Sequence, residues 1–312
     1  MYRPPIMDDG HAILRRLAGL PIGTRRRALR GLRAVEGLLR PGRDLDLAPT
    51  LRQVLRFGDR EAARLERDIA FHDALTALEW GALLVRTKAQ LQADARHVEI
   101  ADAGVLARVA ASGKPVIFAP LHMGNYVFGM AVAMNAHFAG RPMLILRARE
   151  DRDADTRVME RVREIGTEMR FLQVSDKASY IDAVRFVRQG AVVIYFVDLP
   201  PSYGGPVDVT LFGHRLRLAL GIDALARVAG ATVVPLAVTS SLSGDRVAVG
   251  RPFEVVDPGQ AERMRVARLV ARHVETAILR DPGQWHFWPR LAEFAPLADD
   301  DPARAVLQEA AA

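Results

Sequence analysis

The chain contains no cysteine. Disulfides, thiolate metal sites and a cysteine nucleophile are therefore excluded, and any chemistry must run on His, Asp, Glu, Ser, Thr, Arg or Lys. A chain without thiols is indifferent to redox compartment, and the cytoplasm is the default expectation. No stretch of about 20 apolar residues runs without a break, so no spanning helix is predicted. The nearest candidate, Pro115 to Phe138, holds His122, Gly124, Asn125 and Gly129 in its middle and suits a strand, a turn and a buried helix. The first residues have neither the apolar segment nor the cleavage site of a signal peptide. Glycine fingerprints are missing as well. Gly204-Gly205 and Gly221 lack the spacing and the strand-to-helix context of a phosphate or dinucleotide loop, and there is no Gly-x-Ser-x-Gly elbow. A nucleotide-dependent enzyme is thus not expected, and neither is a cofactor. His72-Asp73 stands apart from further ligand types, so no metal site is predicted.

What is present is a large apolar fraction, 50% of 312 residues, enough to bury one big core. The formal net charge is +6 and is carried mostly by arginine. The excess is concentrated: between His11 and Arg43 there are nine arginines against one acid, Glu36. In that segment Leu29, Leu32, Val35 and Leu39 recur at helical spacing, while Arg26, Arg30 and Arg33 line another face. The pattern is either a solvated basic face or a helix lying on an anionic bilayer, where each basic residue contributes about 1 kcal/mol. Any membrane association would be peripheral. Nucleic acid is not an expected partner, because no recognition motif or interleaved aromatic series accompanies the charge.

Residues 11 to 93 read as helical, with a break at Pro41-Gly42 and a longer helix from Asp59, where Ala62, Leu65, Ile69, Leu75, Leu78, Ala82 and Val85 form an apolar face. Strand signals follow Gly113. Val116–Ala119, Met143–Leu146, Ala191–Val197 and Thr232–Val238 are short continuous apolar runs, the pattern of strands covered on both faces. Helical stretches separate them: Asp155–Ile165, Lys177–Val187 capped by Gly190, and Gly221–Val228 before Gly230. Val247–Val249 and Phe253–Val256 are read as an edge hairpin, followed by a helix over Ala261–Arg280. The predicted fold is α/β, a largely parallel central sheet flanked by helices, with a helical N-terminal region. The divisions drawn are 1–58 for the basic N-terminal region, 59–294 for the α/β domain and 295–312 for a poorly ordered tail.

Ligands of open α/β sheets bind beyond the carboxyl ends of the strands. His122 follows such an end, and a neighbouring helix N-terminus would favour a neutral imidazole suited to taking a hydroxyl proton. Asp198 ends the run Ala191–Val197 and is expected at the same edge, where a carboxylate could orient an imidazole or bind a donor group; the alternative is a turn-forming Asp before Pro200-Pro201. Arg147 and Arg149 follow the Met143 strand and could hold a phosphate-bearing group with their planar forks of donors. Trp285 and Trp288 read as packing residues.

Taken in order, these landmarks resemble the late lipid A acyltransferases, the lauroyl/myristoyl transferase family of the wider glycerolipid acyltransferase superfamily. His122-Met-Gly-Asn-Tyr-Val127 looks like that family's histidine block, with Gly124 and Asn125 in register. Leu146-Arg147, Arg163-Glu-Ile-Gly166, Val193–Asp198, Leu211-Phe212-Gly213, Gly230–Pro235 and Pro282-Gly-Gln-Trp285 resemble the later blocks, and Arg290 matches in the last. The resemblance spans roughly Asp59 to Arg290. It implies transfer of a fatty acyl chain from an acyl carrier protein or acyl-CoA thioester to a hydroxyl of a glycolipid or related lipid or saccharide acceptor. The place implied is the cytoplasmic face of the inner membrane, with His122 as general base and Gly124, Asn125, Arg147 and Arg290 as substrate-binding residues. The sequence departs from the pattern at three places. Val127 stands where the family has a carboxylate five residues after the histidine, Leu218 where a threonine is usual, and Pro289 where a histidine is usual. Two expectations follow: a divergent acyltransferase in which His122 acts alone or with a carboxylate from elsewhere, Asp198 being the candidate, or a member that has lost catalysis and binds lipid, acyl carrier protein or a partner enzyme.

Overall fold

The computed structural model describes residues 12–39, 45–147, 153–166, 168–173 and 177–295. The Pro41-Gly42 break, Arg149 and the tail beyond Ala295 lie outside the described residues. Five helices come first: α1 (Ala12–Ala18), α2 (Ile22–Leu39), α3 (Ala48–Leu55), α4 (Asp59–Val85) and α5 (Lys88–Ala95). Then follow β1 (Val98–Ile100), α6 (Ala103–Ala111), β2 (Val116–Ala119), α7 (Tyr126–His137), β3 (Met143–Arg147), α8 (Asp153–Glu160), β4 (Met169–Gln173) and α9 (Lys177–Arg188). The chain continues through β5 (Val192–Ile194), β6 (Pro206–Leu211), β7 (His214–Ala219), α10 (Ile222–Ala229), β8 (Thr232–Ser240), β9 (Asp245–Val249) and α11 (Gln260–Arg280).

Seven strands form one sheet in the order β1-β9-β8-β2-β5-β3-β4. The five from β8 to β4 are parallel, while β9 pairs antiparallel with β8 and β1 lies parallel to β9. Strand β2 shows why its sequence is an unbroken apolar run. Val116 and Phe118 enter the cluster under α7, Ile117 and Ala119 enter the cluster on the opposite face, and all four are buried. The second cluster also takes Val266, Val270 and Val274 of α11 and Val207, Val209 and Leu216 of the β6–β7 hairpin.

Several elements depart from the sequence reading. The run Ala191–Val197 is strand only over β5, and β1, β4 and the β6–β7 hairpin were not expected. The hairpin closes on Phe212-Gly213, both at positive φ (56° and 81°), the backbone of a two-residue turn matched to strand twist. The expected hairpin between 247–249 and 253–256 does not form. Instead β9 returns along β8, and Phe253 crosses to exchange backbone hydrogen bonds of 2.8 and 3.0 Å with Val233.

The basic N-terminal region also differs. Arg26, expected on a solvated or bilayer-facing side, is fully buried with Arg25 beside it. Arg25 donates to Glu79 at 3.0 and 2.6 Å and to Asp94 at 2.9 Å; Arg26 donates to Glu79 at 2.9 Å and to Asp245 at 3.0 Å. The reason is docking: α2 lies on α4 with Leu29 packed against Leu75 and Leu78, and three buried carboxylates from α4, α5 and β9 await its cations. Burial alone would raise the Glu79 carboxyl, but Arg26 and Arg25 outweigh it and hold it down at about 2. Breaking such a buried set by removing one partner costs about 3–5 kcal/mol, so this half of α2 is fixed to the α/β body. The other half carries the apolar stripe outward: Leu38 and Leu39 are 82% and 75% exposed, with Leu32 and Val35 also exposed.

Two partly buried histidines weaken the fold at acid pH. Burial, with His286, Arg30 and Arg26 adding to it, lowers the His72 imidazole from 6.5 to about 3. Burial also lowers His273 from 6.5 to about 4 against the hydrogen bond it donates to the Leu236 carbonyl. Both folded values lie below the unfolded one, so the stability they carry is complete above pH 6.5 and is lost as pH falls toward 4. Unfolding free energy should drop across that window, with a slope approaching about 1.4 kcal/mol per pH unit for each histidine, and the thermal midpoint should fall with it. His72→Leu should flatten the drop in a pH series of calorimetric scans; an unchanged slope would remove His72 from the account.

Candidate active site

The site is built where β2 leaves the sheet. After Ala119 the chain runs through Pro120 and Leu121 to His122, and the neighbouring chain beyond β5 keeps pace with it. Tyr195 N donates to Phe118 O at 2.9 Å and Val197 N to Pro120 O at 3.2 Å, which carries Asp198 level with His122. Asp198 is completely buried and receives three N–H donors: the His122 backbone at 2.8 Å, His122 Nδ1 at 2.9 Å and Trp285 Nε1 at 3.0 Å. A carboxylate accepts, so Nδ1 carries the donated proton and Nε2 is the ring nitrogen left to meet a substrate.

Aromatic rings fix the imidazole plane. Phe196 stacks on it at 4.0 Å between centroids, while Phe287 and Tyr126 present edges at 4.8 and 5.3 Å. Helix α7 starts at Tyr126, four residues beyond His122. The ring is held by Asp198 and these side chains, one of them from the first residue of α7.

A short strap, Gln284–Phe287, locks the turn from the other side. Met123 and Trp285 form an antiparallel bridge, Gly124 N donates to Gln284 O at 3.2 Å, and His286 N donates to His122 O at 3.0 Å. The Gln284 side chain grips Ser240 at the end of β8, accepting from its N–H at 2.6 Å and donating to its carbonyl at 3.0 Å. Gly124 sits at φ +56°, and a Cβ there would lie 2.6 Å from the Val238 carbonyl oxygen, so glycine is required by both conformation and space.

The other residues singled out from sequence are spread along this edge. Asn125 precedes α7, with its backbone N–H on Ser240 Oγ (3.0 Å) and its amide on Asp245 (3.1 Å), which joins it to the Arg26 network. Arg147 ends β3, two strands from β2, or roughly 10 Å along the sheet. Its guanidinium lies 3.6 Å from the Phe171 ring centroid and reaches Thr156 Oγ1 at 3.3 Å. Arg290 pairs with Glu293 and stands 5.1 Å from the Phe287 ring, whose edge meets His122. Val127 is 5% exposed within the apolar cluster under α7, and Leu218 is buried in the opposite cluster. Sequence reasoning missed Trp285 as a partner of Asp198, together with Phe196, Phe287 and His286. Farther along the edge, Arg96, His97, Thr239, Ser241, Ser243 and Arg246 line an open polar cleft of about 550 Å³.

A mostly parallel sheet flanked by helices, with a histidine at the carboxyl end of a central strand, defines an α/β fold of the acyltransferase-like kind. The family model described as bacterial lipid A biosynthesis acyltransferase matches residues 71–291, well over half of the chain, and the chain belongs to that family. It is accordingly an acyltransferase of the lipid A biosynthesis type. The match takes in His122, Asp198 and the Gln284–Phe287 strap and leaves out α1 to α3. No curated protein matches the chain. Among the described residues no helix is long and apolar enough to cross a membrane.

The place of Val127 has a direct consequence. Val127→Asp should not raise turnover, because the new carboxylate enters an apolar cluster, and it should cost at least about 2 kcal/mol of stability. Thermal unfolding together with a transfer assay checks this; a more active variant of undiminished stability would contradict the geometry described.

Proposed function

We propose that the protein is an O-acyltransferase that moves a fatty acyl chain from an acyl carrier protein or CoA thioester to a hydroxyl of a glycolipid or related acceptor. The observation that carries the reading is the His122–Asp198 pair, a base and its carboxylate 2.9 Å apart in spite of Val127. His122 Nε2 takes the acceptor hydroxyl proton as the oxygen attacks the thioester carbonyl. The tetrahedral adduct then expels the thiolate, which leaves with that proton, so the products are an ester and a free thiol. Asp198 holds the ring in the tautomer that leaves Nε2 open and offsets the charge that the ring gains. The alternative is a member that has lost catalysis and binds lipid, acyl carrier protein or a partner enzyme; it is motivated by the departures at Val127, Leu218 and Pro289, and the proximity of Asp198 to His122 weakens the first of them.

Arg290 and Arg147 are the residues we assign to anionic parts of the donor or acceptor. Gly124 and Asn125 shape the turn at which the acceptor is held. The polar cleft of about 550 Å³ gives the acceptor's head group room on the same edge. The exposed half of α2, with Leu32, Val35, Leu38 and Leu39 beside Arg27 and Arg30, suits contact with an anionic bilayer, peripherally and at the cytoplasmic face of the inner membrane.

Purified protein with acyl carrier protein and CoA thioesters and glycolipid acceptors should form ester product. His122→Ala should abolish it, and Asp198→Asn should lower turnover by as much as about 10⁴-fold. Equal turnover in wild type and His122→Ala would remove His122 from the mechanism. For the membrane contact, Val35→Asp/Leu38→Asp/Leu39→Asp should abolish sedimentation with phosphatidylglycerol vesicles. Sedimentation unchanged by the triple substitution would place the contact elsewhere.

A further inference from the structure

His286 is 1% exposed and lies behind the His122 turn, away from the imidazole itself. Its Nε2 is 3.1 Å from the Gly124 carbonyl oxygen and 3.4 Å from Thr76 Oγ1. The Thr76 hydroxyl proton is directed to the His72 carbonyl at 3.0 Å, so both neighbours of Nε2 present lone pairs and Nε2 is the donor. The other nitrogen, Nδ1, is 3.3 Å from Asp73 Oδ1 on α4, an ion pair when the ring carries both protons and so donates from each nitrogen. The ring thus spans from α4 to the turn that bears His122.

Four backbone groups of His122 and Gly124 are held in place, and what holds each is informative. The Gly124 N–H goes to the Gln284 carbonyl and the His122 carbonyl receives the His286 N–H, both main-chain bonds. The remaining two depend on side chains: the His122 N–H is held by Asp198, and the Gly124 carbonyl by His286. Asp198 touches the imidazole; His286 does not share that hydrogen bond and acts only on the backbone two residues away. The turn has little freedom to compensate, since Gly124 is at positive φ and packed on the Val238 carbonyl. Loss of the His286 donor leaves a buried carbonyl without its partner, and any relaxation of the Gly124 peptide passes to the turn that bears His122.

We propose that His286 is a positioning residue for acyl transfer: braced by Asp73 and Thr76, it holds the Gly124 carbonyl and so sets the angle at which His122 presents Nε2. This rests on the reading of His122 as the base. The discriminating comparison is His286→Phe, which keeps the ring bulk without the donor, against His286→Gln, whose amide nitrogen reaches near the place of Nε2 and can donate. A core truncation on α11, Ile278→Val, serves as a stability control. His286→Phe should lower kcat by about 10- to 100-fold, in the range expected for a catalytic group misplaced by up to an ångström. KM for the thioester should stay within about two-fold, since uniform binding is untouched. His286→Gln should recover most of kcat, and Ile278→Val should leave it unchanged. Amide hydrogen exchange of the peptide covering 121–126 should speed up in the Phe variant and not in the Gln variant. If His286→Phe does not fold, Asp73→Leu, which removes the brace and keeps the imidazole, should give a smaller loss of kcat with the same exchange signature.

The proposal is overturned if His286→Phe retains wild-type kcat, if His286→Gln falls as low as His286→Phe, or if Ile278→Val loses as much. A wild type that turns over no better than His122→Ala is a failure of the transfer reading instead. In that case the exchange measurement still decides the positioning claim, and identical exchange of the turn in wild type and His286→Phe would end it.

Discussion

The arrangement depends on one carboxylate. Asp198 has no exposure to solvent and accepts from three N–H groups that come from two separate segments: the backbone and ring of His122, and the indole of Trp285. A buried carboxylate is costly unless its lone pairs are satisfied, and once satisfied it fixes every donor around it. Asp198 therefore does more than face an imidazole. It ties the end of the β2 chain to the strap Gln284–Phe287, and the strap in turn ties both to the end of β8 through Gln284 and Ser240. Under the proposed reading the acid comes from the neighbouring strand end, while Val127 fills the cluster that covers the sheet.

A second buried charge system stands behind this one. Arg25, Arg26, Glu79, Asp94 and Asp245 join α2, α4, α5 and β9, and Asp245 also holds the Asn125 amide next to the His122 turn. The N-terminal region is thus part of the framework that supports the site. The distal half of α2, by contrast, carries Leu38 and Leu39 exposed. The family match begins at residue 71, so Arg25 and Arg26 lie outside it while their partner Glu79 lies within it.

The central strands were legible because strands covered on both faces read as unbroken apolar runs, as β2, β3 and β8 do. Strand β4 was not, since Met169–Gln173 mixes Arg170 and Gln173 with apolar residues at a sheet edge. The β6–β7 hairpin alternates buried and exposed residues with period two, a signal that Phe212-Gly213 could have completed. His122 and Asp198 could be singled out because both end strand-like runs. Trp285 could not, because the partner of an indole N–H is set by a contact 87 residues away in sequence. Arg26 was misread for the same reason: its carboxylates are 53 and 219 residues distant, and a lone stretch of arginines reads as a solvated face. Local pattern reveals which residues reach an edge, and tertiary contacts decide what they meet there.

The most direct test of the Asp198-centred account is proton NMR of the protein carrying ¹⁵N-labelled histidine, following the Nδ1–H of His122. The account expects a low-field, slowly exchanging proton coupled to a His122 nitrogen, absent in His122→Ala, lost in Asp198→Ala and retained in Val127→Ala. A signal that survives Asp198→Ala unchanged, or that disappears in Val127→Ala alone, would contradict it.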